Sequence, residues 1–277
     1  MPTTPMPRVA LRGGATIPQL GFGVFQVPDD ETTRAVSLAL EAGYRSIDTA
    51  AVYGNEAGVG RALADAGLAR DEVFVTSKLW VDALARDAVR PALERSLELL
   101  GLDRLDLYLV HWPAPALGRY VEAWEGLVAA RDAGLVREIG VSNFEPEHLR
   151  AVVDATGETP AVNQVELHPA LQQRDLRAVH DELGVVTEAW SPLGQGSVLD
   201  DPTLARVAAA HDATPAQVVL AWHLRRGTVV IPKSVTPARI ASNLAAVDVA
   251  LTPEDVAAVD ALDAGRRVGP HPSAFNG

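Results

Sequence analysis

Val73-Phe74-Val75-Thr76-Ser77-Lys78 opens a segment that closes on Leu105-Asp106-Leu107-Tyr108-Leu109-Val110, and between them Leu93, Leu97 and Leu100 recur before Gly101. The two short apolar runs read as strands. The three leucines, spaced by three and four, share one helical face. Glycine after the last of them suits the left-handed position that ends a helix. Residues 73–110 therefore spell one strand–helix–strand unit, and the same rhythm runs outward from it. Strand-like runs recur around Leu20, at Arg45–Asp48, Glu138–Val141, Ala161–Val165, Val185–Trp190 and Thr228–Ile231, eight with the two already quoted. Tyr120, Trp124 and Leu127 mark another helical face, and Gly43, Gly67, Gly134 and Gly184 close further helices. Strict alternation at this length predicts a (β/α)8 TIM barrel, with a doubly wound sheet as the alternative. Arg8–Leu11 and Ala15–Pro18, around Gly13-Gly14, read as an N-terminal β-hairpin. No composition break divides the chain, so residues 1–277 are expected to form a single domain.

Composition narrows the function classes. The 277 residues are 48% apolar and 22% charged, with a formal charge of −12. So acidic a chain is a poor partner for nucleic acid. Cysteine is absent, which removes disulfides, thiolate nucleophiles and cysteine metal sites. The segment Met1–Arg8 has no apolar export core, and no apolar run approaches the ~18 residues of a membrane helix, so a cytoplasmic location away from membranes is expected. Among 24 basic residues only Lys78 and Lys233 are lysine. Lysine offers a compact ammonium with a tunable pKa where arginine offers a broad fork, so both positions invite a chemical reason.

In a barrel, chemistry sits at the C-terminal ends of the strands. Strand two ends at Asp48 and leads to Tyr53, strand three ends at Lys78, and strand four runs into His111-Trp112-Pro113. Singly these have plain readings: a cap, a loop aromatic, a surface charge, a core histidine. Together they form a proton-transfer set. A phenol is a poor acid at neutral pH, a neighbouring ammonium favours its phenolate, a carboxylate orients the ammonium, and an imidazole fixes a substrate oxygen. A carbonyl that becomes an alkoxide on receiving hydride needs these services. His148, His180, His211 and His223 fall on helical stretches and His168 precedes Pro169, so all five read as structural. Gly21-Phe22-Gly23 and Gly194-Gln195-Gly196 each lack the third glycine of a dinucleotide fingerprint, and no HExxH or Walker sequence occurs.

These residues resemble the aldo-keto reductase superfamily. The resemblance runs through Gly43–Ala50, Tyr53-Gly54-Asn55-Glu56, Ser77-Lys78-Leu79-Trp80, Val110–Pro113, Ile139–Phe144, Asn163–Glu166 and Ile231–Ser234. Gly194-Gln195-Gly196 and Arg267–Pro272 look most like the bacterial 2,5-diketo-D-gluconic acid reductases. The resemblance implies NADPH-dependent reduction of small aldehydes, keto acids or keto sugars, with Tyr53 as general acid, Lys78 and Asp48 lowering its pKa, and His111 orienting the carbonyl. It implies that Ser142, Asn143 and Gln164 bind the nicotinamide carboxamide, that Trp190 stacks on the ring, and that Ser191 beside it also contacts the cofactor. Leu193, Gln195 and Gly196 would follow the pyrophosphate, Lys233, Ser234 and Arg239 the 2′-phosphate of NADP+, and Asn243 the adenine. Ser242 departs from the glutamate many relatives carry there. Phe22, Trp80, Trp112 and also Phe25 would wall a substrate site. Only about eight residues separate His111 from the helix near Tyr120, so the site is expected to be open and shallow. No obligate protein partner is expected. A cofactor-binding regulatory subunit and a metal-dependent hydrolase are the competing readings; the full four-residue set argues against the first and the scarcity of ligands against the second.

Overall fold

The computed structural model describes residues 2–277. A hairpin of β1 (Arg8–Ala10) and β2 (Thr16–Pro18) precedes eight parallel strands: β3 (Phe22–Gly23), β4 (Ser46–Asp48), β5 (Phe74–Leu79), β6 (Leu105–Val110), β7 (Val136–Ser142), β8 (Val162–Glu166), β9 (Val186–Trp190) and β10 (Val229–Val230). Each pairs with the next in chain order. Closure comes from Leu20 bridging Val230, with Val230 N donating to Gln19 O at 2.9 Å and Gly21 N to Val230 O at 2.8 Å. The expected TIM barrel and its hairpin are thus present. The first strand lies two residues beyond Leu20, at a crowded seam. A Cβ on Gly23 would stand 3.0 Å from Ile231 O, so only glycine lets β3 approach the chain leaving β10 this closely.

The helices α1 (Asp29–Ala42), α2 (Glu56–Asp65), α3 (Arg86–Leu100), α4 (Tyr120–Asp132), α5 (Pro146–Thr156), α6 (Arg174–Leu183), α7 (Pro202–Ala210), α8 (Pro215–Arg225), α9 (Pro237–Leu244) and α10 (Pro253–Asp260) follow the strands. The quoted unit behaves as its spacing dictates: Leu93, Leu97 and Leu100 are buried, and Gly101 adopts φ 66° with its N–H on Leu97 O and Glu98 O.

Strand alternation sorts the side chains into two sets. Phe74, Leu107, Leu109, Val162 and Val229 point into the lumen and cluster with Leu11 and Ile17 of the hairpin, which plugs the barrel floor. Glu138 fastens that plug by accepting from Gly13 N at 3.1 Å and Ala15 N at 3.0 Å. The alternate residues Ile47, Val75, Tyr108 and Val110 face outward into the larger cluster shared with the helices. The lumen is therefore apolar below. Two residues further along the same strands, its upper layer is polar.

Candidate active site

Asp48, Lys78, Gln164 and Glu188 meet in that upper layer, on β4, β5, β8 and β9. Lys78 is fully buried, and its Nζ donates to Asp48 Oδ1 at 2.6 Å and to Thr49 O at 2.9 Å. The other Asp48 oxygen accepts from Gln164 Nε2 at 2.8 Å. Tyr53 arrives on a 3-10 turn, Ala51–Tyr53, whose position is set from below. Asn55 accepts from Thr49 Oγ1 at 2.8 Å and donates to Val24 O and Val27 O, tying the loop after β4 to the loop after β3. The Lys78 ammonium then lies 5.1 Å from the Tyr53 ring centroid, and the His111 ring centroid lies 5.6 Å from it. The four residues expected to act together are brought together.

Burial pushes the Tyr53 phenol above its ordinary value; the Lys78 charge opposes this and Asp48 adds to the rise. The ammonium thus moderates a pKa that desolvation alone would raise further. Burial weakens the charged form of Lys78, yet Asp48 and Tyr53 outweigh it and its pKa rises, so the lysine stays protonated. His111 is held well below the ordinary histidine range by burial and by Lys78, which makes it a neutral imidazole. The five remaining expected histidines behave structurally. His180, for example, contacts Asn163 at 2.9 Å and Thr187 at 2.8 Å and is pushed down to about 4 by burial.

Around this centre the strand ends collect amide and hydroxyl groups. Asn143 Nδ2 donates to His111 O and Ser142 Oγ, both at 3.0 Å, while Asn143 Oδ1 accepts from Trp190 Nε1 at 2.8 Å. Asn143, Ser191 and Gln195 adopt φ of 61°, 47° and 53°. Left-handed backbone at three non-glycine positions on one rim is strain of the kind concentrated at functional sites. Leu193 and Gly196 belong to the same turn as Gln195. Farther out, Lys233 and Arg239 are exposed near the start of α9 and form no ion pair among the described residues, whereas Ser234 and Asn243 are buried.

The substrate wall needs one correction. Register pairs Phe22 with Ile47 and Gly23 with Asp48, so the lumen side belongs to Gly23. Phe22 is buried outside the barrel wall, edge-on to Tyr44 at 5.4 Å. Phe25 is the aromatic at the mouth, 48% exposed with its ring 5.1 Å from Tyr53. Trp80 stands 5.2 Å from the His111 ring, and Trp112 packs 4.3 Å from Phe275. Phe275 was not foreseen. Only the folded chain brings the tail here, through Val268 N and Gly269 N donating to buried Glu166 at 2.6 and 3.1 Å. Asn276 then accepts from Ala116 N at 2.9 Å, so the tail adds a wall beside the short loop after β6. Glu188 was also missed, although its alternation with Trp190 marks it as facing the lumen.

A profile described as the aldo/keto reductase family matches residues 13–264. An aldo-keto reductase of Mycolicibacterium smegmatis is 51% identical over 270 residues, 98% of each chain. A methylglyoxal reductase DkgA of Salmonella typhimurium is 50% identical over 97% of this chain and 98% of its own. Among solved structures, Gox0644 in its apo form superposes with a TM-score of 0.94 at 48% identity, covering 97% of this chain and 98% of that one. A mutant of Gox0644 in complex with NADPH superposes equally well, with a TM-score of 0.94 at 46% identity, covering 98% of this chain and 99% of that one. The chain belongs to the aldo/keto reductase family.

Proposed function

We propose that the protein reduces the carbonyl group of small aldehydes, keto acids or keto sugars to an alcohol with NADPH, and that Tyr53 is the general acid. The observation that carries this reading is the buried Lys78–Asp48 pair, 2.6 Å long, beneath a phenol flanked by a neutral imidazole. Bound NADPH supplies the hydride. As charge develops on the carbonyl oxygen, Tyr53 gives it the phenolic proton. The transfer is downhill even with a raised phenol pKa, because an alcohol is the far weaker acid. Lys78 stabilises the phenolate left behind, Asp48 holds the ammonium charged, and neutral His111 donates a hydrogen bond that sets the angle of the carbonyl.

The residues present fit the dinucleotide. With their own protons spent within the protein, Ser142, Asn143 and Gln164 offer acceptor oxygens to a carboxamide NH2 group, Trp190 offers a ring face, and the turn Leu193–Gly196 offers backbone. Lys233 and Arg239, which form no ion pair among the described residues, suit a 2′-phosphate together with Ser234 and so favour NADPH over NADH. The aromatic mouth of Phe25, Trp80, Trp112 and Phe275 suits a compact carbonyl compound, as does similarity to proteins named methylglyoxal reductase. A 2,5-diketo-D-gluconate-like sugar acid is the narrower candidate on sequence grounds. The test is NADPH oxidation across a panel of methylglyoxal, short aldehydes, keto acids and diketogluconate. Tyr53→Phe is expected to abolish turnover while retaining NADPH binding; wild-type turnover by that variant rejects the mechanism.

A further inference from the structure

Glu188 is an ionisable group the mechanism above leaves idle. It lies mid-strand on β9, buried in the lumen, where a carboxyl group is expensive to place without purpose. Its contact is specific. Gln164 Nε2 donates to Asp48 Oδ2 at 2.8 Å and to Glu188 Oε2 at 3.0 Å. Both protons of that amide are therefore spent on carboxyl groups, and its carbonyl oxygen accepts no hydrogen bond within the described residues. Turned over, the amide would set its oxygen against the Asp48 carboxylate, and Glu188 Oε2 takes the second amide proton in the observed sense. Gln164 must turn its oxygen to the rim.

On the reading that Gln164 holds the nicotinamide carboxamide, we propose that Glu188 is a positioning residue that clamps Gln164 with its oxygen toward the cofactor and releases its proton when the oxidised, cationic nicotinamide binds. A carboxylate one hydrogen bond from the carboxamide contact favours a positively charged ring and is indifferent to the neutral reduced one. Burial pushes Glu188 up to about 8, Asp48 adds to the rise, and Gln164 and Lys78 oppose it, so the free protein holds it neutral at pH 7. The charged groups facing it are Asp48 from β4 and Lys78 from β5, already paired to each other. Beyond them stand Tyr53 and His111. Glu166, two residues along β8 from Gln164, is bound by His168 and by two backbone N–H groups, and β10 contributes only Val229 and Val230.

Proton linkage gives the sign. A group that loses its proton on binding makes affinity rise with pH, by at most about tenfold per unit for one proton. The ratio of the NADP+ and NADPH dissociation constants isolates this effect, because groups near the phosphates act on both forms alike. Dissociation constants for both forms, measured by quenching of protein fluorescence, are expected to show the ratio falling about tenfold from pH 7 to pH 9 in the wild type. Glu188→Gln mimics the neutral acid and has no proton to release, so wild-type affinity for NADPH, several-fold weaker binding of NADP+ than in the wild type at pH 7, and a pH-independent ratio are expected. Glu188→Leu removes the acceptor, and both forms are expected to bind several-fold more weakly at every pH. In the cofactor-free protein, infrared difference spectra should show a protonated carboxyl band at pH 7 that disappears by pH 9 and is missing in Glu188→Gln. Equal pH dependence of the ratio in wild type and Glu188→Gln overturns the proposal, as does the absence of that band. If the wild type binds neither dinucleotide, the NADPH reading itself falls, and this inference with it.

Discussion

Asp48→Asn tests the centre of the site most directly, because the structure fixes what the substitution removes. Asp48 accepts from Lys78 Nζ on one oxygen and from Gln164 Nε2 on the other, and both contacts are buried. Asparagine must turn its NH2 group toward one of these donors, so one contact becomes donor against donor. Lys78 keeps only Thr49 O. Breaking one side of a buried ion pair costs about 3–5 kcal/mol, since the remaining charge stays desolvated. Against a typical total of ~5–15 kcal/mol, the variant should still fold. The pH dependence has a definite sign. In the wild type burial works to lower the Lys78 pKa, but Asp48 and Tyr53 carry it above its ordinary 10.5, so its stabilising contribution is complete below that value and fades in stronger alkali. Without Asp48, burial dominates and the folded-state pKa falls below that of the unfolded chain. The lysine then destabilises the fold at neutral pH and is relieved as pH rises. Urea unfolding followed by tryptophan fluorescence should therefore show a gap of about 3–5 kcal/mol at pH 7 that narrows by pH 10. Steady-state turnover should drop on the order of 10²-fold, because an ammonium no longer held by Asp48 is not oriented to steady the phenolate. A gap under about 1 kcal/mol at pH 7, the range of an exposed pair, or one that widens toward pH 10, refutes the argument.

Two further substitutions probe the rim. Lys233→Met is expected to weaken NADPH about tenfold or more and leave NADH unchanged, since a charge-assisted contact to the 2′-phosphate is lost; fluorescence titration with both dinucleotides checks it, and equal losses for the two contradict the phosphate assignment. Phe275→Ala removes the ring packed at 4.3 Å on Trp112 and 6.0 Å from Trp80. KM for aldehydes should rise several-fold with little change in NADPH affinity, and unchanged KM across an aldehyde panel argues that the tail is only packing.

What the sequence made legible follows from how a closed barrel arranges side chains. Asp48, Lys78 and Gln164 lie on strands long or regular enough to place their ends, and Tyr53 and His111 follow such ends, so the site could be read as a ring of termini. Phe22 could not be placed that way. Its strand is two residues long and framed by glycines, which leaves no alternation from which to fix a face, and pairing with Ile47 turned it outward. Phe275 lay beyond any local pattern, because the tail is held by Glu166 more than a hundred residues earlier.

Glu188 was overlooked for a subtler reason. In an open sheet, an ionisable residue in the middle of an alternating strand marks the face turned to water. In a closed barrel the second face is the lumen, so the same pattern puts a carboxyl group in the driest part of the molecule. There it must have partners, and those partners form a chain across four strands, from Lys78 through Asp48 and Gln164 to Glu188. Each link fixes the next: the ammonium orients one carboxylate, that carboxylate takes one amide proton, and the second carboxyl group takes the other. The ammonium beside Tyr53 and the amide of Gln164 are thus two ends of a single hydrogen-bonded layer, which is why, on the proposed function, a residue far from the phenol is expected to register the charge of the cofactor.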